Sequence, residues 1–201
     1  MKKWFQILYW SIRFKRIFPF LIFTDSFITI KSVSNFIILH RIRFGNSKKS
    51  PKISALPINF YAGFHSKLVI GHSVCIGPGV NIVVKDHAQL EVGSNTYFTS
   101  DSHIESIKEI KIGSNCAISW GVTIIDHNHH EIRYEGKGEE RMKVSIGDHV
   151  WIGCNTVILP GTQIGSHTVV AAGSVVKGEF PDRCLIGGNP AQIIKRNVDW
   201  K

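Results

Sequence analysis

From Ile70 onward, aliphatic and aromatic residues fall on every sixth position: Ile70, Ile76 and Ile82, then Val92, Phe98 and Ile104, then Ile112, Ile118 and Ile124. After a gap the beat resumes through Ile146, Ile152, Ile158, Ile164, Val170 and Val176. Four residues after most of these stands a small or β-branched residue, as at Val74, Val80, Thr96, Cys116, Val122, Val150, Thr156, Thr162, Thr168 and Ser174. Two inward positions in every six residues fit neither the helical period nor simple strand alternation. Short strands joined by tight corners produce them, three hexads to a triangular coil. Glycine follows the aliphatic residue at Gly71, Gly77, Gly93, Gly113, Gly147, Gly153 and Gly165, which the sequence suggests is for its wide φ/ψ range at corners. Coils then begin at residues 70, 92, 112, 146 and 164, so the intervals contain two small insertions, one large insertion and one coil without any. The pattern predicts an all-β solenoid over residues 53–180.

A solenoid needs a cap at each end. Residues 1–52 are aromatic and basic, and Trp4, Ile7, Leu8, Ser11 and Ile12 fall near one helical face, which predicts a helical or irregular N-terminal cap. The same stretch has a second reading as a membrane-proximal segment, with Trp4, Phe5, Trp10 and Phe14 in the lipid interface and Lys2, Lys3, Arg13, Lys15 and Arg16 at head groups. The segment GNSKKSPK, residues 45–52, reads as a polar turn or linker. Residues 181–201 leave the hexad register: Pro181 and the Gly187–Pro190 cluster mark a turn, and Ala191–Asn197 predicts a closing segment carrying Lys195 and Arg196. Asp199 and Trp200 carry no readable signal.

Composition narrows the partners. The 201 residues are 43% apolar and 19% charged, a globular balance, and 24 Lys+Arg against 15 Asp+Glu give a net charge of +9. Such a charge suits an anionic ligand. Nucleic acid is disfavoured because the basic residues gather near the front and tail instead of interleaving with aromatics along a groove. The four scattered cysteines form no CxxC pair and predict a reducing, cytoplasmic setting, with contact at the inner face of the membrane if the N-terminal segment is interfacial. The start has no small-residue cleavage site, which predicts that it is retained. The apolar run from Ile17 stops at Asp25, well short of the ~18 uncharged residues of a spanning helix.

The candidate chemistry lies at the large insertion. The rhythm breaks after D-H-N-H-H, residues 126–130, and a polar loop at about 130–145 follows before Ile146. A loop of that length is usually functional or disordered. A flat prism cannot surround a substrate alone, so a projecting loop supplies a wall, and His127, His129 and His130 stand at its root. Histidine titrates near neutrality, which suits a base that takes a hydroxyl proton and returns it to a leaving group. Three histidines within four residues do not readily converge on a metal, and no Cys pair or H-E-x-x-H accompanies them, so no metal is expected.

The strings IGDHVWIGCNTVILPGTQIGSHTVVAAGSVV and IGGNPAQIIKR, with the repeated [LIV]-G-x-x-x-x hexads over roughly residues 65–196, resemble the hexapeptide-repeat acyltransferases. Within them the chain is most similar to the sugar O-acetyltransferases of the galactoside and maltose type and of the capsule or lipopolysaccharide type. The resemblance implies a left-handed parallel β-helix, acetyl-CoA as donor, homotrimers with sites at subunit boundaries, and a sugar or glycan acceptor. It also implies one histidine base, and the motifs leave three candidates. Counting D-x-x-H from Asp126 favours His129, counting back from Trp151 in the galactoside-type pattern gives His127, and D-x-D-x-H would select His130. Asp126 either orients the imidazole or closes an Asx turn. The matching coenzyme positions are Gly153, Cys154, Ala171, Ala172 and Gly173, with Lys177, Lys195 and Arg196 as candidates for the phosphates, and Trp151, which follows inward-facing Val150 and so points outward, serves as a wall for donor or acceptor, as subunit-interface packing, or both. Lys177 and Gln192 depart from the galactoside pattern, which puts the phosphate contacts in question. Two other readings stand beside O-acetylation: N-acetylation of an amino-sugar nucleotide, and a non-catalytic β-helix that binds or scaffolds.

Overall fold

The computed structural model describes residues 58–130 and 142–201, together with the backbone of four short strands, Leu21–Thr24, Ile28–Ile30, Phe36–Ile38 and Ile42–Gly45. Strands follow one another in threes, each joining a different parallel sheet, so that three sheets form the faces of a prism. One full coil runs Tyr97–Phe98 on the first face, His103–Ser106 on the second and Glu109–Ile112 on the third. The register of the third face pairs Ile70 with Val92, Val92 with Ile112, Ile112 with Ile146, and Ile146 with Ile164. These are the coil starts that the hexads predict.

The two inward positions of each hexad are buried along the axis. Ile76, Ile82, Ile104, Ile118, Ile124, Ile152 and Ile158 stack with Val74, Val80, Thr96, Cys116, Val122, Val150 and Thr156 between them. The hydroxyl residues of this second series have a physical reason for being there. Inside a dry column an unpaired hydroxyl is costly, and each reaches a corner carbonyl: Thr156 Oγ1 donates to Gly153 O at 2.7 Å, Thr162 Oγ1 to Leu159 O at 2.7 Å and Ser174 Oγ to Ala171 O at 2.6 Å. Side chain and corner therefore stabilise each other.

Two expectations need correction. The glycines after the aliphatic positions do not sit at positive φ. The left-handed corner conformation is taken mainly by other residues, among them Asn95, Asn115, His149, Asn155 and His167. What requires glycine is close stacking: a Cβ on Gly93 would lie 2.5 Å from the Gly113 carbonyl carbon, and one on Gly71 would lie 2.6 Å from Ser94 N. The second correction concerns the front boundary at residue 52. Strands before it already belong to the solenoid, with Leu21–Thr24 paired to Ile42–Gly45, Ile28–Ile30 to Ile58–Ala62, Phe36–Ile38 to Lys67–Ile70, and Ile42–Gly45 to Val74–Ile76. The sequence there lacks the IG pairs and even hexads that mark the later coils. The helix proposed around Trp4–Ile12 lies outside the described residues.

At the far end Cys184–Gly188 continues the first face, and Ala191–Arg196 turns back antiparallel along it. This is the closing segment expected from the sequence, and it caps the otherwise open sheet edge. Among the described residues no helix is long and apolar enough to cross a membrane.

Candidate active site

The second-face strand Thr123–Ile125 delivers Asp126 and His127 to the corner where the large insertion begins. Asp126 is fully buried and turns toward the preceding coil. Its carboxylate accepts hydrogen bonds from Ser106 Oγ at 2.9 Å, and from the backbone N–H groups of Ile107 at 2.7 Å, Lys108 at 2.9 Å and Glu109 at 2.6 Å. Those contacts fill its acceptor sites with the neighbouring corner, and among the described residues no hydrogen bond joins it to an imidazole. Of the two roles weighed for Asp126, the geometry matches a structural one, although its bonds run to the previous coil and not to the Asx turn expected at the loop start.

His127 is buried, and neither ring nitrogen has a hydrogen-bond partner among the described residues. A buried polar ring without partners is costly, and such groups often belong to sites that a reactant completes. The ring faces a carboxylate that sequence reasoning missed. Glu105 Oε2 lies 3.6 Å from His127 Nε2, because Glu105 pairs in register with Ile125 one coil on, diagonally adjacent to His127. Glu105 is itself held by two groups, one of them fixed in turn by a third. Lys85 Nζ approaches Oε1 at 3.1 Å, His103 Nε2 approaches Oε2 at 3.2 Å, and the Asn81 amide meets His103 Nδ1 at 2.9 Å. With the amide donating to Nδ1, His103 carries its proton on Nε2 and donates it to Glu105. A readable signal existed: His103 and Glu105 occupy the two outward positions of one strand, one coil before the loop root.

Charge follows from this packing. Burial works against ionisation of Glu105, yet the hydrogen bonds from Lys85 and His103 outweigh it and hold the carboxyl below its usual range. Desolvation, helped by the His129 ring, lowers the His127 pKa despite the pull of Glu105 and Asp126. The imidazole is accordingly neutral near pH 7, the form that accepts a proton. His129 stands in the left-handed region with φ of 47° and is exposed, its ring 4.0 Å from that of His127 at an interplanar angle of 59°. His130 is exposed beyond it. The loop itself, residues 131–141, lies outside the described residues.

The predicted coenzyme residues divide into a cluster and scattered members. Gly153, Cys154, Ala171, Ala172 and Gly173 stack on successive coils at the corner between the first and second faces, where Gly153 N donates to Val170 O at 2.9 Å and Gly173 N to Cys154 O at 2.8 Å. A Cβ on Gly153 would sit 2.6 Å from Ala172 N, whereas one on Gly173 would meet nothing within 4 Å, leaving that corner open. Trp151 projects from the first face beside this corner, exposed, with Nε1 donating to Ser119 Oγ at 3.3 Å. Lys177 is exposed near the start of the third face; Lys195 and Arg196 are exposed on the closing strand. Within one chain the small-residue corner and His127 are separated by the width of the second face, on the order of 15 Å at about 3.3 Å per strand residue. A shallow groove of about 400 Å³ at the third corner, lined by Gly71, Gly93, Gly113 and Gly147 among others, contains none of the predicted site residues.

Comparison with known proteins agrees with this architecture. The family described as "Bacterial transferase hexapeptide (six repeats)" matches residues 143–178. WbbJ of Escherichia coli (strain K12), named provisionally as a lipopolysaccharide biosynthesis O-acetyl transferase, is 34% identical over 137 residues, covering 63% of this chain and 70% of WbbJ. Of the curated relatives next in similarity the chain spans 56–64%. Among solved structures, the polySia-specific acetyltransferase NeuO superposes with a TM-score of 0.60 over 89% of this chain and 90% of its own, and at 22% identity it supports the left-handed β-helical fold alone. The hexapeptide-repeat acetyltransferase VCA0836 of Vibrio cholerae O1 biovar eltor, solved with acetyl-coenzyme A, gives a TM-score of 0.56 at 28% identity over 68% of this chain and 73% of its own. The repeat register, the capped triangular column and the extent of the match to WbbJ place this chain in the bacterial hexapeptide-repeat acetyltransferase family.

Proposed function

We propose that the protein is an acetyl-CoA-dependent O-acetyltransferase that acts on a sugar hydroxyl of a surface polysaccharide, a lipopolysaccharide or one of their precursors, with His127 as general base. The observation that carries the assignment is the buried, neutral imidazole of His127, with neither nitrogen hydrogen-bonded among the described residues and a held carboxylate 3.6 Å from Nε2. In this reading His127 takes the proton of the attacking hydroxyl as its oxygen bonds to the thioester carbonyl. The same proton then passes to the departing sulfur as the C–S bond breaks, giving the acetyl ester and the free thiol of coenzyme A. Glu105 is the positioning residue, favouring the imidazolium that forms midway. His129, which D-x-x-H counting from Asp126 places first, becomes a second wall of the site instead of the base, and His130 stands outside it.

The donor would lie along the corner of Gly153, Cys154, Ala171, Ala172 and Gly173, where small side chains leave room for a pantetheine arm, with Trp151 as a wall and Lys177, Lys195 and Arg196 available to phosphate oxygens. Because that corner and His127 are a face-width apart in one chain, the reading requires a homotrimer in which His127 of one subunit meets the coenzyme corner of the next. The acceptor type follows the name given to WbbJ. A cytoplasmic location at the inner membrane face is part of the proposal and depends on the N-terminal segment.

Thiol release from acetyl-CoA, measured with panels of hydroxyl and amino sugars, tests the reading. His127→Ala should lower kcat by about 10²-fold or more while His129→Ala and His130→Ala lose far less. Preferential turnover of amines would move the activity to N-acetylation. Absence of turnover with every acceptor would favour a binding or scaffold role. A sedimentation mass of one chain would remove the shared site.

A further inference from the structure

Away from His127, at the corner where the third face turns into the first, three successive coils place His149, His167 and Arg183 at equivalent positions, two residues before Trp151, Val169 and Leu185, which pair in register. All three take the left-handed conformation, with φ of 56°, 59° and 57°. Coils stack about 4.8 Å apart, so the imidazoles project side by side with ring centroids at 5.0 Å. The C-terminal residues, which carry no signal in the sequence, fold back over the column.

The docking is specific. Val198 N donates to Arg183 O at 2.9 Å, the Trp200 indole stacks on His149 at 4.4 Å and 7°, and Trp200 Nε1 donates to His149 O at 2.8 Å. Asp199 Oδ1 lies 3.4 Å from His149 Nε2 and 3.3 Å from His167 Nδ1, while Oδ2 faces Arg183 Nη1 at 3.9 Å. One nitrogen from each ring and one carboxylate oxygen thus fall within 4.8 Å of one another.

Asp199 Oδ1 also accepts from Trp200 N at 3.0 Å, and the Trp200 carbonyl lies 3.0 Å from His149 Nε2, so four polar atoms converge on one point of the corner. A tetrahedral ion with bonds of about 2.0–2.1 Å to nitrogen and oxygen has ligand-to-ligand edges of about 3.3–3.4 Å, the lengths of the two nitrogen–oxygen separations at Asp199. Two imidazoles and a carboxylate are a borderline donor set that suits zinc, cobalt or nickel better than calcium or magnesium.

We propose that His149, His167 and Asp199 form a divalent transition-metal site that fastens the C-terminal tail across the coil corner, with the Trp200 carbonyl as a nearby fourth oxygen. The ion would hold Trp200 beside Trp151, whose ring centroid is 6.1 Å away, and so stiffen the exposed flank of the first face. None of the three ligands belongs to the acetyl-transfer reading, although Trp151 borders both sites.

The test uses the untagged full-length chain, freed of metal and titrated with Co²⁺ and Zn²⁺. One equivalent of Co²⁺ should bind with the intense visible bands of a tetrahedral site, Trp200 emission should change in step, and Zn²⁺ should displace the cobalt. Asp199→Asn and His167→Ala should each weaken binding more than about tenfold. A His127→Ala, His129→Ala double variant should keep the equivalent, which separates this site from the Glu105, His127 and His129 group at the loop root. The proposal is overturned if no equivalent binds below about 10 μM, if Asp199→Asn and His167→Ala bind as the parent does, or if the double variant loses the metal.

Discussion

Replacing Asp126 with asparagine separates an architectural carboxylate from a catalytic one. In the structure its two oxygens accept from Ser106 Oγ and from three consecutive backbone N–H groups, those of Ile107, Lys108 and Glu109, in a fully buried site. Asparagine keeps one acceptor oxygen and puts an NH₂ group where the other stood. If the remaining oxygen stays on Ile107 N–H, the new amide points its hydrogens at the Lys108 and Glu109 donors, while the Ser106 hydroxyl can rotate to accept. Two partly buried backbone donors are then left unsatisfied, at about 1–3 kcal/mol each. The expected loss is about 4 kcal/mol, a drop in melting temperature of roughly 8–16 °C for a domain of this size. Thermal denaturation followed by circular dichroism measures it. The protein that remains folded should keep its kcat within about tenfold and show an acid limb moved to lower pH, because Asp126 acts on His127 through its charge and not through a hydrogen bond. An unchanged melting temperature with a kcat reduced more than about 100-fold would refute this reasoning and return Asp126 to the role of orienting the base.

Two further outcomes follow from the same geometry. The carboxylate of Glu105 raises the His127 pKa, so Glu105→Gln should shift the acid limb of kcat/KM to still lower pH while lowering kcat itself by roughly tenfold to 100-fold, about 1.4–2.7 kcal/mol. In the parent protein that limb should already lie below about pH 6.5, because a depressed histidine pKa keeps the base unprotonated as pH falls; a limb above that value would contradict the desolvated site. Burial pushes the Cys116 thiol up to about 11, so alkylation at pH 8 followed by peptide mass mapping should leave Cys116 unmodified in the native protein and label it after denaturation, a thiol being far less nucleophilic than its thiolate.

The hexad beat by itself determined the coil starts and the two inward series, because in a solenoid each residue contacts mainly its counterpart one coil away and the fold repeats one local rule. It also placed the histidines at the loop root, since an insertion is visible as a break in the period. The beat weakens before residue 58, and the strands from Leu21 to Gly45 escaped notice there because that stretch has only one glycine after an apolar position, Gly45, and no even six-residue spacing. Tertiary structure alone decided what neighbours across coils do. Coil lengths of 18 to 34 residues set which side chains stack, so Glu105 comes to face His127 across 22 positions of sequence, Asp126 is spent on a corner 17 to 20 residues earlier, and Asp199 reaches His149 50 residues away. Spacing along the chain names the residue types at a site, but a carboxylate's partner is fixed by the register between coils, and that register exists only once the column is wound.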